Sequence, residues 1–390
     1  MFALFRAALA AAVLLAPAVQ AQSVDLDTAL AAVREQVDMP GFSGSVVVLQ
    51  DGVPIYAEAR GMADAQSGRA NTLETRFNIA SVGKFLTALG YLRAAAEAGI
   101  VDPAGLHPAT LLGESDTLVT ADLTMGDLMA HRTTAQSFFG APDGETRTAA
   151  AQSNADIFVL VREAQAAPIA RREDGLAYNN SNAIITGEII ARLTGESYEA
   201  AMQRLVFDPS GASSAAFARQ AQAEALDLAR PYLPEGYDPE VAMRRRPDGP
   251  TPSDYPVLAS DPLSGSISMA AGGLYISAGD LARIGAAALD GGLVSPDQLE
   301  MMCTSQVERY GLIFGMGCGG RVFGPGQRRW GHNGGAPGVN AELALFPDQN
   351  IVLAVVANHH MRATPVLEAF EAGLFGLGQG GSENGFIVRH

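Results

Sequence analysis

Lysine is nearly absent from this chain. Of its 26 cationic side chains, 25 are arginine and one is a lysine, Lys84. Arginine stays protonated in proteins, whereas the pKa of a desolvated lysine ammonium shifts readily, so that the amine can act as a base. The use of arginine everywhere else indicates that position 84 requires a cation that can lose its proton. The alternative is a biased composition in which one lysine remains by chance.

Cysteine and ligand-spaced histidine are scarce as well. Cys303 and Cys318 are the two cysteines, too few for a zinc or iron–sulfur centre. In an oxidising compartment they could form a disulfide across about 15 residues, worth roughly 3 kcal/mol. Two buried free thiols are the alternative. The choice depends on the distance and orientation of the two side chains, which the sequence does not show. His359 and His360 are adjacent, and adjacent residues rarely face one metal. The sequence therefore predicts neither a metal nor an organic cofactor.

Positive charge and long apolar runs are limited too. The formal net charge is −16, and so acidic a surface disfavours nucleic acids and anionic membranes as partners. One apolar run follows Arg6 and ends at Val19. Val19-Gln20-Ala21 then places small residues at the positions that signal peptidase recognises. We predict a signal peptide over residues 1–21, too short to span a bilayer. We therefore expect a secreted protein with no stable membrane anchor, located in a bacterial periplasm.

The spacing of apolar residues predicts an α/β (α+β) chain whose sheet comes from both ends. Helices are predicted over residues 24–37, 81–98, 277–289 and 365–375, and strands over residues 45–50, 53–59, 310–316, 341–346 and 351–357. We expect an antiparallel β-sheet flanked by helices, built from residues 22–100 and 270–377. A mostly helical inserted subdomain is predicted over residues 101–269. A Gly-rich tail over residues 378–390 is predicted to be flexible.

The first candidate motif is the pair Ser81 and Lys84, which lie at i and i+3 and so share one face of a helix. At a first helical turn, backbone N–H groups are unsatisfied and the helix dipole is positive. Both features favour a developing alkoxide and oxyanion on Ser81. They also disfavour a nearby ammonium, which would help Lys84 to act as a neutral base.

Two further segments carry groups that suit the same chemistry. Tyr178-Asn179-Asn180 offers a phenol that can shuttle a proton if cations lower its pKa; the alternative is a turn before the next helix. Residues 330–338 read Trp-Gly-His-Asn-Gly-Gly-Ala-Pro-Gly. Their glycines allow a backbone to approach a ligand closely, and His332 could polarise or protonate a substrate. A Gly-rich turn just before a strand, with an incidental histidine, is the alternative.

The order of the three motifs is more informative than any one of them. Tyr178 lies 97 residues after Ser81 (178 − 81), and His332 lies 154 residues after Tyr178 (332 − 178). With this order the chain resembles the serine hydrolases of the class C β-lactamase family, which includes esterases, D-amino-acid peptidases and penicillin-binding relatives. The resemblance extends from Gly41 to Leu377. Supporting segments cover residues 124–131, 186–190, 207–211 and 271–274.

The resemblance implies a role for each motif residue and a serine β-lactamase-like fold. Ser81 would be the acylated nucleophile, and Lys84 and Tyr178 would share general acid and base work. Asn180 would position Lys84 and the substrate. The backbone N–H groups of Ser81 and Gly335 would form the oxyanion hole. His332 and Gly334 would bind and orient the substrate, a small-molecule ester or peptide.

The chain also departs from the family pattern. His332 stands where β-lactamases have a lysine, and a largely neutral imidazole attracts a substrate carboxylate poorly. Asn333 replaces a hydroxyl residue, and Arg132-Thr133-Thr134 replaces a small-residue turn. We therefore expect an esterase or peptidase that works through an acyl-enzyme. The alternatives are a β-lactamase or D-Ala carboxypeptidase, acyl transfer to an amine or alcohol, or a penicillin-binding-like sensor without turnover. The sequence does not indicate the oligomeric state.

Overall fold

The computed structural model describes residues 24–113, 116–219, 222–236, 257–258, 269–304, 307–309 and 312–377. The predicted signal peptide over residues 1–21 and the predicted tail over residues 378–390 lie outside the described residues. Within the described ranges, no helix has both the length and the apolarity to cross a bilayer.

The centre of the fold is an eight-stranded antiparallel sheet with the strand order β2-β1-β14-β13-β12-β11-β10-β9. The first two strands come from the N-terminal part and the other six from the C-terminal part. The sheet strands are β1 Gly44–Gln50, β2 Val53–Arg60, β9 Val307–Arg309, β10 Leu312–Phe314, β11 Gly319–Gly324, β12 Gln327–Ala336, β13 Val339–Phe346 and β14 Ile351–Ala357. The prediction of an antiparallel sheet flanked by helices is confirmed.

Helices cover both faces of this sheet and predominate between residues 109 and 210. They are α1 Leu26–Asp38, α2 Gly83–Glu97, α3 Ala109–Leu112, α4 Met125–Met129, α5 Gly144–Ala150, α6 Asn154–Ala164, α7 Asn180–Thr194, α8 Tyr198–Met202, α9 Asp208–Ser210, α10 Ala278–Leu289, α11 Pro296–Cys303 and α12 Thr364–Phe375. Residues 203–207 continue α8 as a π-helical turn. Short strands pair outside the main sheet: β3 Met62–Asp64 with β4 Arg69–Ala70, β5 Phe77–Asn78 with β8 Tyr275–Ile276, and β6 Tyr232–Leu233 with β7 Val257–Leu258.

The central strands β1, β13 and β14 are buried on both faces because helices pack on each side of the sheet. Along β14, Leu353 and Val355 belong to a core that includes Phe370 of α12. Val352 and Ala354 point the other way, into the larger core that contains α2 and α10. This alternation follows from the two-residue period of a strand. The larger core therefore joins the sheet to α2, the helix that follows Ser81.

A disulfide joins Cys303, the last residue of α11, to Cys318, just before β11. The two Cα atoms are 5.0 Å apart, within the range that a disulfide requires. The sequence left open whether these cysteines form a disulfide or remain free thiols, and the structure has the disulfide. The bond fixes the segment between β10 and β11 against the helical layer.

Candidate active site

Ser81 lies in a tight turn at the start of α2. A 3-10 turn, Ala80–Val82, leads into the helix, and Ala80 has a left-handed φ of +42°. Gly272 packs against this turn so closely that a Cβ there would lie 2.3 Å from the Ala80 carbonyl oxygen. Only glycine allows that approach. The predicted helix over residues 81–98 thus begins two residues later, with Ser81 in the preceding turn.

Lys84 is buried, with 3% of its surface exposed. Its Nζ lies 2.9 Å from Ser81 Oγ and donates to the Ala271 carbonyl oxygen at 2.5 Å. No carboxylate in the described part of the chain forms a salt bridge with this amine. Burial therefore acts alone and lowers the pKa of Lys84 to about 7. A large fraction of Lys84 is consequently neutral at neutral pH, with its lone pair available to the Ser81 hydroxyl.

Tyr178 completes the contacts of the serine oxygen. Its hydroxyl group donates to Ser81 Oγ at 2.8 Å, and its ring lies 5.0 Å from Lys84 Nζ. Burial raises the pKa of Tyr178 far above its ordinary value. The condition set from the sequence, that nearby cations lower this pKa, is not met, because desolvation by burial dominates. The phenol is protonated and can serve as an acid.

Most of the glycine-rich segment is itself a strand, β12, and not the turn that the sequence left as the alternative. The strand β13 follows it, as predicted. Residues 327–336 form β12, and β12 pairs with β13 from Trp330 to Ala336. The pairing of β11 with β12 reaches only Gly331, so the end of β12 extends past β11 towards the Ser81 turn. Glycine has low strand propensity, and for that reason the sequence suggested a turn. In a strand it marks a place where another backbone comes close.

Gly334 and Gly335 show how close that approach is. A Cβ on Gly334 would lie 2.1 Å from the Ile79 carbonyl oxygen and 3.1 Å from the Ser81 backbone nitrogen. A Cβ on Gly335 would meet no atom within 4 Å. Thus Gly334 packs against the turn that contains Ser81, whereas the space beside Gly335 is open. This places the backbone of β12 beside that of Ser81, as two oxyanion donors require.

His332 lies on β12, and the structure keeps it neutral. Its Nδ1 is 2.5 Å from the Asn333 carbonyl oxygen. Burial, together with the positive charge of Lys84 when protonated, lowers the pKa of His332 to about 4. The imidazole is therefore uncharged at pH 7, and it offers no permanent cation to a substrate carboxylate.

Asn180 does not make the contact with Lys84 that the resemblance implied. Among the described residues, the amine hydrogen-bonds to Ser81 and Ala271 instead. Asn180 is the first residue of α7, and its Oδ1 is buried without a hydrogen-bond partner in the described structure. A buried acceptor without a partner is costly.

Two participants were missed by sequence reasoning. The Ala271 carbonyl oxygen, 187 residues from Lys84 in the chain, carries no side-chain signal and could not have been found. His131 stacks on Tyr178 with ring centroids 4.3 Å apart. His131 belongs to the segment of residues 124–131 that supports the family resemblance, but its contact with Tyr178 is visible only in the folded structure.

A small, mostly apolar cavity adjoins these groups. It measures about 20 Å³ and is lined by Met129, His131, Tyr178, Phe314, Cys318 and His332, together with three glycines. A volume of this size holds about one water molecule or a methyl group. The disulfide forms part of its wall through Cys318. No cluster of three or more potential metal ligands occurs within the described ranges.

The fold and site define a class of protein in which a serine hydroxyl group is flanked by a lysine amine and a tyrosine phenol. Residues 26–374 match the family described as Beta-lactamase, and the chain belongs to this family. It is 25% identical over 322 residues to PbpX of Bacillus subtilis (strain 168), whose name assigns it provisionally to the penicillin-binding proteins. That match covers 82% of this chain and 71% of PbpX.

Solved structures share the fold at lower sequence identity. A penicillin-binding protein from Bacillus halodurans superposes with a TM-score of 0.70 at 20% identity, covering 88% of this chain and 99% of that one. The D-amino acid amidase from Ochrobactrum anthropi SV3, complexed with D-phenylalanine, gives a TM-score of 0.65 at 20% identity with the same coverage. These similarities establish the fold.

Proposed function

We propose that this protein is a serine hydrolase that forms an acyl-enzyme on Ser81 with small ester, amide or peptide substrates. The observation that carries the proposal is the environment of Ser81 Oγ, 2.9 Å from an amine and 2.8 Å from a phenol. Burial lowers the pKa of Lys84 to about 7 and raises the pKa of Tyr178. A base and an acid thus adjoin one nucleophile at neutral pH.

The chemistry follows from these protonation states. Neutral Lys84 takes the hydroxyl proton as Ser81 Oγ forms a bond to the substrate carbonyl carbon. The resulting oxyanion is stabilised by the backbone N–H groups of Ser81 and Gly335. When the intermediate collapses, the bond to the leaving group breaks and Tyr178 donates a proton to that group. The Lys84 ammonium returns a proton to Tyr178. Water then attacks the acyl-enzyme carbonyl carbon and gives up a proton to neutral Lys84, so that a second tetrahedral intermediate forms in the same oxyanion hole. Its collapse breaks the bond to Ser81 Oγ, which takes back a proton, and the acid product is released.

Two features bear on the substrate. The imidazole of His332 is uncharged at pH 7 because its pKa is about 4, so a substrate carboxylate finds no permanent cation there. This favours esters and amides without an adjacent carboxylate over β-lactams. The buried Oδ1 of Asn180, which has no partner among the described residues, favours substrates that bring an N–H group. An N–H donor of this kind makes an amide or peptide the second candidate substrate beside an ester.

We also propose that the protein works outside the cytoplasm. The predicted signal peptide over residues 1–21 supports export. The disulfide between Cys303 and Cys318 supports an oxidising compartment, because such bonds are rare in reducing ones.

The substrate preference is tested by steady-state hydrolysis of a short-chain p-nitrophenyl ester, a D-amino-acid amide and nitrocefin. We expect kcat/KM for nitrocefin to be at least about tenfold below that for the ester, since loss of one charge contact costs a factor of this order. Nitrocefin turnover as fast as ester turnover would show that His332 does not limit β-lactam binding. Ser81→Ala is the control and should abolish hydrolysis of all three.

The alternative of a sensor that is acylated without turnover is tested separately. A fluorophosphonate read by intact mass shows whether Ser81 reacts, and ester turnover shows whether water completes the cycle. We expect one adduct per chain, absent in Ser81→Ala, and continuous turnover of the ester. Reaction with the fluorophosphonate without ester turnover would favour the sensor.

The pH dependence of kcat/KM follows from the same pKa values. The base form of Lys84 increases as pH rises, so kcat/KM should rise about tenfold per pH unit below 7 and level off above it. The pKa of His332, about 4, lies too low to add a second step, and Tyr178 remains protonated up to pH 10 because its pKa is raised. A profile that is flat between pH 5 and 8, measured with an ester whose own hydrolysis is subtracted, would contradict this assignment.

A further inference from the structure

The loop after α4 contains a histidine in a backbone conformation that glycine usually adopts. His131 follows Ala130, the C-cap of α4, and has a φ of +57°. After a helix, this left-handed position normally carries glycine or asparagine, and other residues occupy it at an energetic cost. Such strained positions concentrate at functional sites. The side chain of His131 is 6% exposed and lines the cavity beside Tyr178.

His131 contacts Tyr178 and the residues on either side of it. Its carbonyl oxygen accepts from the Ala177 backbone N–H at 2.9 Å. Its Nδ1 accepts from the Asn179 backbone N–H at 3.2 Å. Its ring lies 4.3 Å from the Tyr178 ring, tilted by 33°. One residue therefore fixes three consecutive positions at the place where the segment enters α7.

The orientation of the imidazole is itself fixed by a buried chain of hydrogen bonds. Thr133 Oγ1 donates to Asn182 Oδ1 at 2.8 Å, which turns the amide group of Asn182 so that its Nδ2 faces His131. Asn182 Nδ2 lies 3.3 Å from His131 Nδ1. Because Nδ1 is an acceptor, the neutral ring carries its proton on Nε2. Thr133 and Asn182 are each 1% exposed.

Tyr178 needs such support because its own backbone is irregular. No helix or strand covers residues 173–179, yet the phenol must stay at 2.8 Å from Ser81 Oγ. A displacement of about 1 Å at a reacting group can cost roughly 100-fold in rate. We propose that His131 is a positioning residue that holds the Tyr178 hydroxyl group on Ser81 Oγ through its Nδ1 acceptor and its ring. This inference rests on the proposed hydrolase function.

Two substitutions that suit the left-handed backbone test the proposal. His131→Gly removes both the acceptor and the ring, whereas His131→Asn restores an acceptor, Oδ1, near the place of Nδ1. For His131→Gly we expect kcat for the ester to fall about 10- to 100-fold with KM within about twofold of wild type. For His131→Asn we expect kcat to recover at least about threefold relative to His131→Gly.

Unchanged kcat in His131→Gly, a change confined to KM, or equal rates for the two variants would each overturn the proposal. If His131→Gly does not fold, Thr133→Val decides, because it removes only the hydroxyl group that orients Asn182. We expect Thr133→Val to lower kcat by at least about threefold with KM unchanged. Wild-type kcat in that variant would overturn the proposal.

A crystal structure of each variant provides a readout that does not depend on turnover. We expect the distance from Tyr178 OH to Ser81 Oγ to exceed about 3.5 Å, beyond hydrogen-bond range, in His131→Gly. The 2.8 Å contact should return in His131→Asn. If the wild-type protein neither turns over the ester nor reacts with a fluorophosphonate, the proposed function fails. The two structures still decide the role of His131, and an unmoved Tyr178 in His131→Gly would refute it.

Discussion

Replacing Lys84 by arginine is expected to abolish most of the hydrolytic activity while keeping a positive charge in the site. Arginine cannot give up its proton, so it cannot act as a base. The loss of a general base typically costs about 100- to 10,000-fold, and we expect kcat/KM for the ester to fall within this range. Steady-state kinetics at pH 8 measure the effect, since Lys84 should be mostly neutral there with a pKa of about 7.

Lys84→Met is the matched variant, because methionine is unbranched, similar in length and neutral. Both substitutions remove the base, but only arginine retains the charge. We expect the two enzymes to be similarly slow. We also expect Lys84→Arg to unfold at a lower temperature than Lys84→Met, because arginine keeps a permanent charge in a buried site. An arginine variant with activity near wild type would mean that the positive charge of position 84, and not its lone pair, serves the reaction.

Adding one methyl group at Gly334 is expected to have the second large effect. A Cβ there would lie 2.1 Å from the Ile79 carbonyl oxygen, so β12 must move away from the Ser81 turn. The two oxyanion donors would then separate, and removal of one such donor costs about 100- to 1000-fold in turnover. We expect a loss of this order in kcat for Gly334→Ala, measured with the ester.

Gly279→Ala is the control for Gly334→Ala. Gly279 lies in the first turn of α10, and a Cβ there meets no atom within 4 Å. We expect its kcat and KM to match the wild-type values. If Gly334→Ala also retains wild-type kcat, the close contact between β12 and the turn that contains Ser81 has no part in catalysis.

Sequence reasoning succeeded where the signal was local. The strand predicted over residues 351–357 matches β14, Ile351–Ala357, because a continuous apolar run ends at turn residues. The helix predicted from residue 277 begins at Ala278, with Ser277 accepting from the Asp280 backbone N–H at 3.2 Å. Ser81 and Lys84 were recognisable because they lie three residues apart across the turn that leads into α2, and this spacing brings their side chains together.

Sequence reasoning failed where contacts cross long stretches of chain. The sequence left the segment of Gly334 open between a turn and a place of close backbone approach, and only its contact with Ile79 decides for the second. The direction of the Tyr178 pKa shift depends on burial, which local sequence does not show. His131 contacts Asn179 and Asn182, which are 48 and 51 residues away in the chain. The partner of a buried polar group is a property of the fold, and it becomes visible only with coordinates.

The protonation state of Lys84 at neutral pH is the central claim, and the composition of the chain allows a direct measurement. Because Lys84 is the sole lysine, protein labelled with ¹³Cε and ¹⁵Nζ lysine gives a single side-chain signal. Its NMR titration should show a midpoint at about pH 7, the pKa that burial produces. A midpoint near the unperturbed value of about 10.4 would show a charged amine at neutral pH, and Lys84 could then not be the base.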